Sequence, residues 1–383
     1  MKKIIKGIIL SILCLGVSSC SNKENITKTD VIFSEIVEGS SENRALELYN
    51  KSDKEIDLSK YSIDIQLMSG VKTINLEGTL SPKTTYVITY TNSNEELKSK
   101  ADLISENLMF NGSQPLQLKK GNKVVDVLGT FDTVYEFNKN ITLTRKIEFL
   151  EGRSQFDEYD WIRYNLDNYK YLGVIEQSIK NEELLDGPKL TEEDFNRPYY
   201  VEQENGTFLG GGGVMDVTVK SYVDGDTTCF YYDEEIINVL GIAQGTKLRY
   251  QNINTPESYV GNIQKFGLKA KEYTKSRLSS ALDIKVQSLL NGILTETFDR
   301  MLGWVWIDGE LLNNTIVKMG YSNLAFDTVD EMMYKDVSYS NFLYNSELYA
   351  KKNGKGIHGE IDPYWDYENN CVKEDAIGAN PNK

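Results

Sequence analysis

The chain has 383 residues, room for two or three domains of roughly 100–200 residues each. Its 40% hydrophobic and 26% charged residues are ordinary globular usage, which rules out wholesale disorder. A formal net charge of −15 argues against coating a polyanion by bulk positive charge, and a single histidine, His358, argues against His-based triads, multi-His zinc sites and His/Cys deaminase sites; any metal must sit mainly on oxygen.

The first twenty residues, MKKIIKGIILSILCLGVSSC, begin with Lys2, Lys3 and Lys6. The apolar stretch Ile8–Val17 is shorter than the roughly 20 residues that a spanning helix needs. It closes on Val17-Ser18-Ser19-Cys20, which resembles the lipobox of bacterial lipoproteins. The resemblance implies loss of residues 1–19 as a signal peptide, lipidation of Cys20, and a protein held by acyl chains at a cell membrane, facing outside the cytoplasm. A plain secretory signal or a transmembrane anchor are the alternatives, and neither requires small residues ending on Cys. No later run is long and apolar enough to span a bilayer. Cys229 and Cys371 form no framework and are expected unpaired, although an oxidising compartment would allow them to pair.

Residues 20–29 read as a polar tether. Over 30–178, short β-like runs such as Val31–Val37, Ala45–Tyr49, Tyr86–Tyr90, Leu116–Leu118 and Val124–Leu128 are separated by Gly, Asn, Ser and Asp, which predicts an all-β sandwich. Residues 179–213 are acidic and close on Gly210-Gly211-Gly212-Gly213, which predicts a flexible linker. Strands alternate with helical patterns over 214–360, and 361–383 read as a loosely ordered polar tail.

Within the first domain, Phe33-Ser34-Glu35-Ile36-Val37, Ala45–Asn50, Ile56–Tyr61, Pro115–Leu118, Leu143-Thr144-Arg145 and Asp160-Trp161 together resemble a lamin-tail domain. That implies an immunoglobulin-like β-sandwich, a spacer or docking module with no chemistry of its own.

In the second domain, a β-run from Val217 reaches the turn Asp224-Gly225-Asp226-Thr227. Arg249 follows, then Asn254-Thr255-Pro256-Glu257, Gly267-Leu268-Lys269-Ala270, Asp299-Arg300 and Ala350–His358. Pieces in this order resemble the thermonuclease, or staphylococcal-nuclease-like, family. The resemblance implies a five-stranded β-barrel of the oligonucleotide-binding kind with packed α-helices, so the chain as a whole is expected to be mainly β with two domains. It also implies roles. Glu257 activates or orients water, Arg249 and Arg300 fork onto phosphate oxygens, and Asp226, Asn254 and the Thr255 carbonyl hold calcium or another divalent metal. Residue chemistry agrees: phosphodiester hydrolysis needs a base and guanidinium charge on the phosphoryl oxygens.

Two positions depart from the pattern. The family usually has aspartate where Asn254 stands, so weaker calcium binding is expected here. Its two stacking tyrosines correspond to Phe326 and Thr328, which leaves one ring to grip a base. Trp304 and Trp306 alternate on a presumed strand and read as core. His358 reads as a C-terminal residue facing solvent or the helix dipole. Lys265, Lys269, Lys271, Lys275 and Arg277 read as a solvated helix face, or else as a track for a nucleic-acid backbone. The function expected is an anchored nuclease that cuts DNA or RNA to 3′-phosphorylated products. The alternative is a catalytically silent surface lipoprotein that binds nucleic acid or another partner.

Overall fold

The computed structural model of the chain describes residues 25–133, 135–259, 261–296, 300–325, 332–359, 361–373 and Ala376. Residues 1–24, Cys20 among them, lie outside these ranges, and so does Phe326. No described helix is long and apolar enough to cross a membrane.

Runs rich in Val, Ile and Tyr become strands because branched and aromatic side chains suit a pleated, half-buried surface. The N-terminal domain contains β1 (Val31–Glu38), β2 (Arg44–Asn50), β3 (Tyr61–Leu67), β4 (Gly70–Asn75), β5 (Thr85–Tyr90), β6 (Leu103–Ser105), β7 (Leu116–Lys120), β8 (Lys123–Leu128), β9 (Ile141–Arg145) and β10 (Trp161–Asn165). They form a six-stranded sheet, β10-β9-β1-β2-β5-β6, and a four-stranded sheet, β8-β7-β3-β4. Leu46, Leu48 and Ile88 of the first meet Ile63, Ile65, Leu116 and Leu118 of the second in one core. Alternation sorts the side chains, with Tyr61, Ile63 and Ile65 buried and the polar residues between them less so.

The outer face of the six-stranded sheet is covered too. Val37, Ala45 and Val87 pack there against Tyr169 and Leu172 of the segment after β10. Register places Glu35 opposite Glu47, both buried. Thr144 donates its hydroxyl hydrogen to Glu35 (3.0 Å), while Ser34 and the Gly173 N–H donate to Glu47 (2.6 Å each). Burial, and then the charge of Glu47, hold the Glu35 carboxyl well above its ordinary range; burial pushes Glu47 up to about 7.

The connecting segment contains α1 (Asn181–Asp186), α2 (Glu192–Asn196), β11 (Tyr200–Glu202) and β12 (Phe208–Gly211). The four-glycine run is not a flexible break. β12 pairs with β11 on one side and with Leu290–Ile293 on the other. A Cβ at Gly210 would run into the Leu289 carbonyl, and one at Gly211 into the Pro198 carbonyl. Glycine stands here because two backbones approach too closely for any side chain.

The C-terminal domain is built from β13 (Val214–Asp216), β14 (Thr218–Asp224), β15 (Thr227–Tyr231), β16 (Lys247–Tyr250), α3 (Gly267–Ser280), β17 (Ile284–Gln287), β18 (Leu290–Ile293), β19 (Met301–Ile307), α4 (Leu312–Lys318) and α5 (Tyr339–Lys352). Its main sheet runs β13-β17-β19-β16-β15-β14, with β16 and β19 parallel. β13 and β14 are separated in the chain only by Val217, yet stand at the two ends of this order. Phe230, Leu248, Val286 and Val305 fill the core with Ala270 and Leu278 of α3 and Ile316 of α4. Trp304 and Trp306 belong to that core. Both rings meet Tyr339 edge-on, and the Trp306 N–H donates to Gln287 (2.9 Å).

The two domains are packed together. Ile162 and Tyr164 of β10, Leu184 of α1 and Phe342 of α5 share one core. Lys146 is fully buried beside it, donating to the Tyr159 carbonyl (2.6 Å), Asn181 (2.9 Å) and Asn345 (2.7 Å). Burial lowers this ammonium's pKa to about 7. Described tail residues also fold back: Asp362 accepts the Phe266 N–H (2.8 Å), and the Lys269 ammonium lies over the Trp365 and Tyr367 rings (5.2 and 4.3 Å). His358 is half-buried rather than solvent-facing, and burial lowers its pKa. Cys229 is buried and Cys371 exposed, and neither is in a disulfide.

Candidate active site

β14 ends at Asp224 and β15 begins at Thr227, the two paired across the Gly225-Asp226 turn. A Cβ at Gly225 would stand 2.8 Å from the Thr255 hydroxyl and 2.9 Å from the Ala270 Cβ. The Thr274 hydroxyl of α3 donates to the Gly225 carbonyl (2.6 Å). Helix α3 therefore clamps the turn from below, and only glycine fits between. The register then sets Arg249 of β16 opposite Thr227, beside Asp226.

Asp226 is buried. One carboxylate oxygen accepts from the Thr227 hydroxyl (3.0 Å); the other accepts the Thr255 N–H (2.7 Å) and pairs with the Arg249 guanidinium. The second arm of that guanidinium donates to the Asn254 side-chain oxygen (2.8 Å). Asn254 is fixed in turn by its own N–H, which donates to the Ser322 hydroxyl (2.8 Å). Arg249 thus bridges two expected metal ligands.

Glu257 lies next to this junction. Burial first, then the Asp224 carboxyl and more weakly Asp226, raise its pKa, with Arg249 opposing. Asp224 is raised by burial and by Asp226, against a hydrogen bond from the Gly225 N–H (2.8 Å). Asp224 was not singled out in the sequence, although its place two residues before Asp226 across one glycine was the available signal. Arg300 stands on a separate hairpin, its guanidinium paired with Glu296. The parallel register pairs Arg249 with Leu302, two residues beyond Arg300. Two of the five residues of the basic cluster are drawn into ion pairs, Lys275 with Glu272 and Arg277 with Glu310, and Lys269 lies over aromatic rings.

The donors available to a cation are all oxygens, which suits a hard ion such as calcium. The buried Thr255 hydroxyl has no hydrogen-bond partner. Among the described residues, however, no three His, Cys, Asp or Glu side chains are grouped to hold a metal. The donor chemistry fits a hard cation, but the two expected side-chain ligands are one carboxylate and one carboxamide, and Arg249 holds both.

Residues 24–132 match the lamin tail domain family, and residues 247–359 match the staphylococcal nuclease homologue family. The chain thus carries a lamin tail domain followed by a staphylococcal nuclease domain. Asp224 and Asp226 precede the second match and are joined to it by the contacts above. Among curated proteins, the chain is similar to the SPbeta prophage-derived endonuclease YokF of Bacillus subtilis (strain 168), with 27% identity over 165 residues, 42% of this chain. It spans half the length of that relative.

Proposed function

We propose that this chain is a nuclease that hydrolyses phosphodiester bonds of DNA or RNA with a divalent metal, and is held by lipid on Cys20 at a cell membrane, outside the cytoplasm. One observation carries the catalytic part. Asp226, Arg249 and Asn254 meet at a single junction, with Glu257 and Asp224 alongside. The nuclease family match and the endonuclease-named relative support it. The placement of segment 214–224 at both ends of one sheet supports a closed five-stranded barrel of the oligonucleotide-binding kind.

Glu257 takes a proton from water as the oxygen attacks phosphorus. Arg249 and Arg300 neutralise charge that grows on the phosphoryl oxygens. The bond from phosphorus to the 5′ oxygen breaks, the leaving oxygen takes a proton from solvent, and the products are a 3′-phosphate and a 5′-hydroxyl. Calcium or another hard cation on Asp226, Asn254 and the Thr255 carbonyl would add positive charge at the same oxygens. Phe326 would stack on a base.

The test is hydrolysis of DNA and RNA by purified protein, with calcium and with chelator. Glu257→Gln and Arg300→Ala are each expected to lower turnover by about 10²–10⁴ while circular dichroism stays that of wild type. Equal rates in wild type and both variants would remove these residues from the mechanism. Binding without turnover under any divalent metal would leave a surface binding module.

A further inference from the structure

We propose, resting on the hydrolase reading above, that Gln264 is the positioning residue that aims Glu257. The short strands Ser258–Tyr259 and Asn262–Ile263 pair antiparallel, Ser258 with Ile263 and Tyr259 with Asn262. One more rung would join Glu257 and Gln264 by two main-chain hydrogen bonds. Half of it forms: the Gln264 N–H donates to the Glu257 carbonyl (2.9 Å). The other half does not form: the Gln264 carbonyl turns to accept the Gly267 N–H (2.9 Å) where the chain enters α3. Phe266 makes that turn at φ 68°.

The Gln264 side chain fills the gap. Its carboxamide oxygen accepts the Glu257 N–H (3.0 Å). Gly267 sits against the Glu257 carbonyl so closely that no Cβ would fit. The Glu257 peptide is thereby held on both sides, while its carboxyl stays beside Asp224. Gln264→Ala would free the Glu257 N–H and let the general base drift. Gln264 is exposed, so its replacement removes little packing.

The experiment compares full-length wild type, Gln264→Ala and Gln264→Glu by steady-state kinetics on single-stranded DNA. It adds amide hydrogen exchange at Glu257 and thermal melting. In Gln264→Ala, kcat is expected to fall roughly ten- to hundredfold with KM and melting temperature unchanged, and the Glu257 amide to exchange faster. Gln264→Glu keeps an acceptor oxygen and is expected to retain most of the turnover. A wild-type kcat in Gln264→Ala overturns the proposal, as does unchanged exchange at Glu257 or equal loss in both variants. Wild-type protein with no turnover fails differently, because it overturns the hydrolase reading and the positioning role falls with it.

Discussion

The Arg249 guanidinium spans two oxygens, one on the Asp226 carboxylate and one on the Asn254 carboxamide. A cation drawn to the same pair must compete with an internal positive charge, and it meets one formal negative charge instead of two. Restoring the second charge should tilt that competition. Asn254→Asp is expected to tighten calcium binding roughly tenfold, measured by calorimetry on the substrate-free protein. Unchanged affinity would mean that Arg249 absorbs the added charge. Most of this junction was legible in the sequence, because Asp226, Arg249, Asn254, Thr255 and Glu257 each stand in a short motif. Gln264 was not, and Asp224, although it opens the same Asp-Gly-Asp-Thr turn, was given no role. Asp224 works through a tertiary neighbour, and Gln264 through a rung that exists only once the hairpin has turned into α3.

At the scale of elements, sequence reading failed where glycine had two explanations. Gly210–Gly213 promised slack by composition, yet β12 is pressed between Pro198 and Leu289. Gly210→Ala should therefore cost about 1–3 kcal/mol in urea denaturation, as a side chain forced into a packed site does. A true linker would tolerate it. The β1–β2 pair makes a second prediction. Glu47 is raised from an ordinary 4.5 to about 7, so between those values the folded chain keeps a proton that the unfolded chain has lost. Its contribution to stability is full below that window and declines as pH rises through it. Melting temperature should fall for this reason between about pH 4.5 and 7 in wild type, and less steeply in Glu47→Gln. The β-like runs that identified these strands give no hint of the burial, because their outer face is covered by the distant segment around Tyr169.

For the whole molecule, two domains were readable from composition and motif order, but not their joint. That joint includes Lys146, which donates to a carbonyl of the N-terminal domain, a connecting helix and the last helix of the nuclease domain. Lys146→Met would leave those three oxygens without their donor. It is expected to destabilise the full chain by about 1–3 kcal/mol and to expose the connecting segment to limited proteolysis. Wild-type resistance would show that the apolar contact around Phe342 suffices. Helix α5, which receives the lysine through Asn345, also touches the loop that leads to Asn254: its Ser340 accepts from the Asn252 side chain (2.5 Å). The N-terminal domain is therefore linked through α5 to the loop that carries Asn254. On an anchored protein, the length of chain before the sandwich would govern how far the enzyme reaches, while this helix would govern the angle at which a strand arrives.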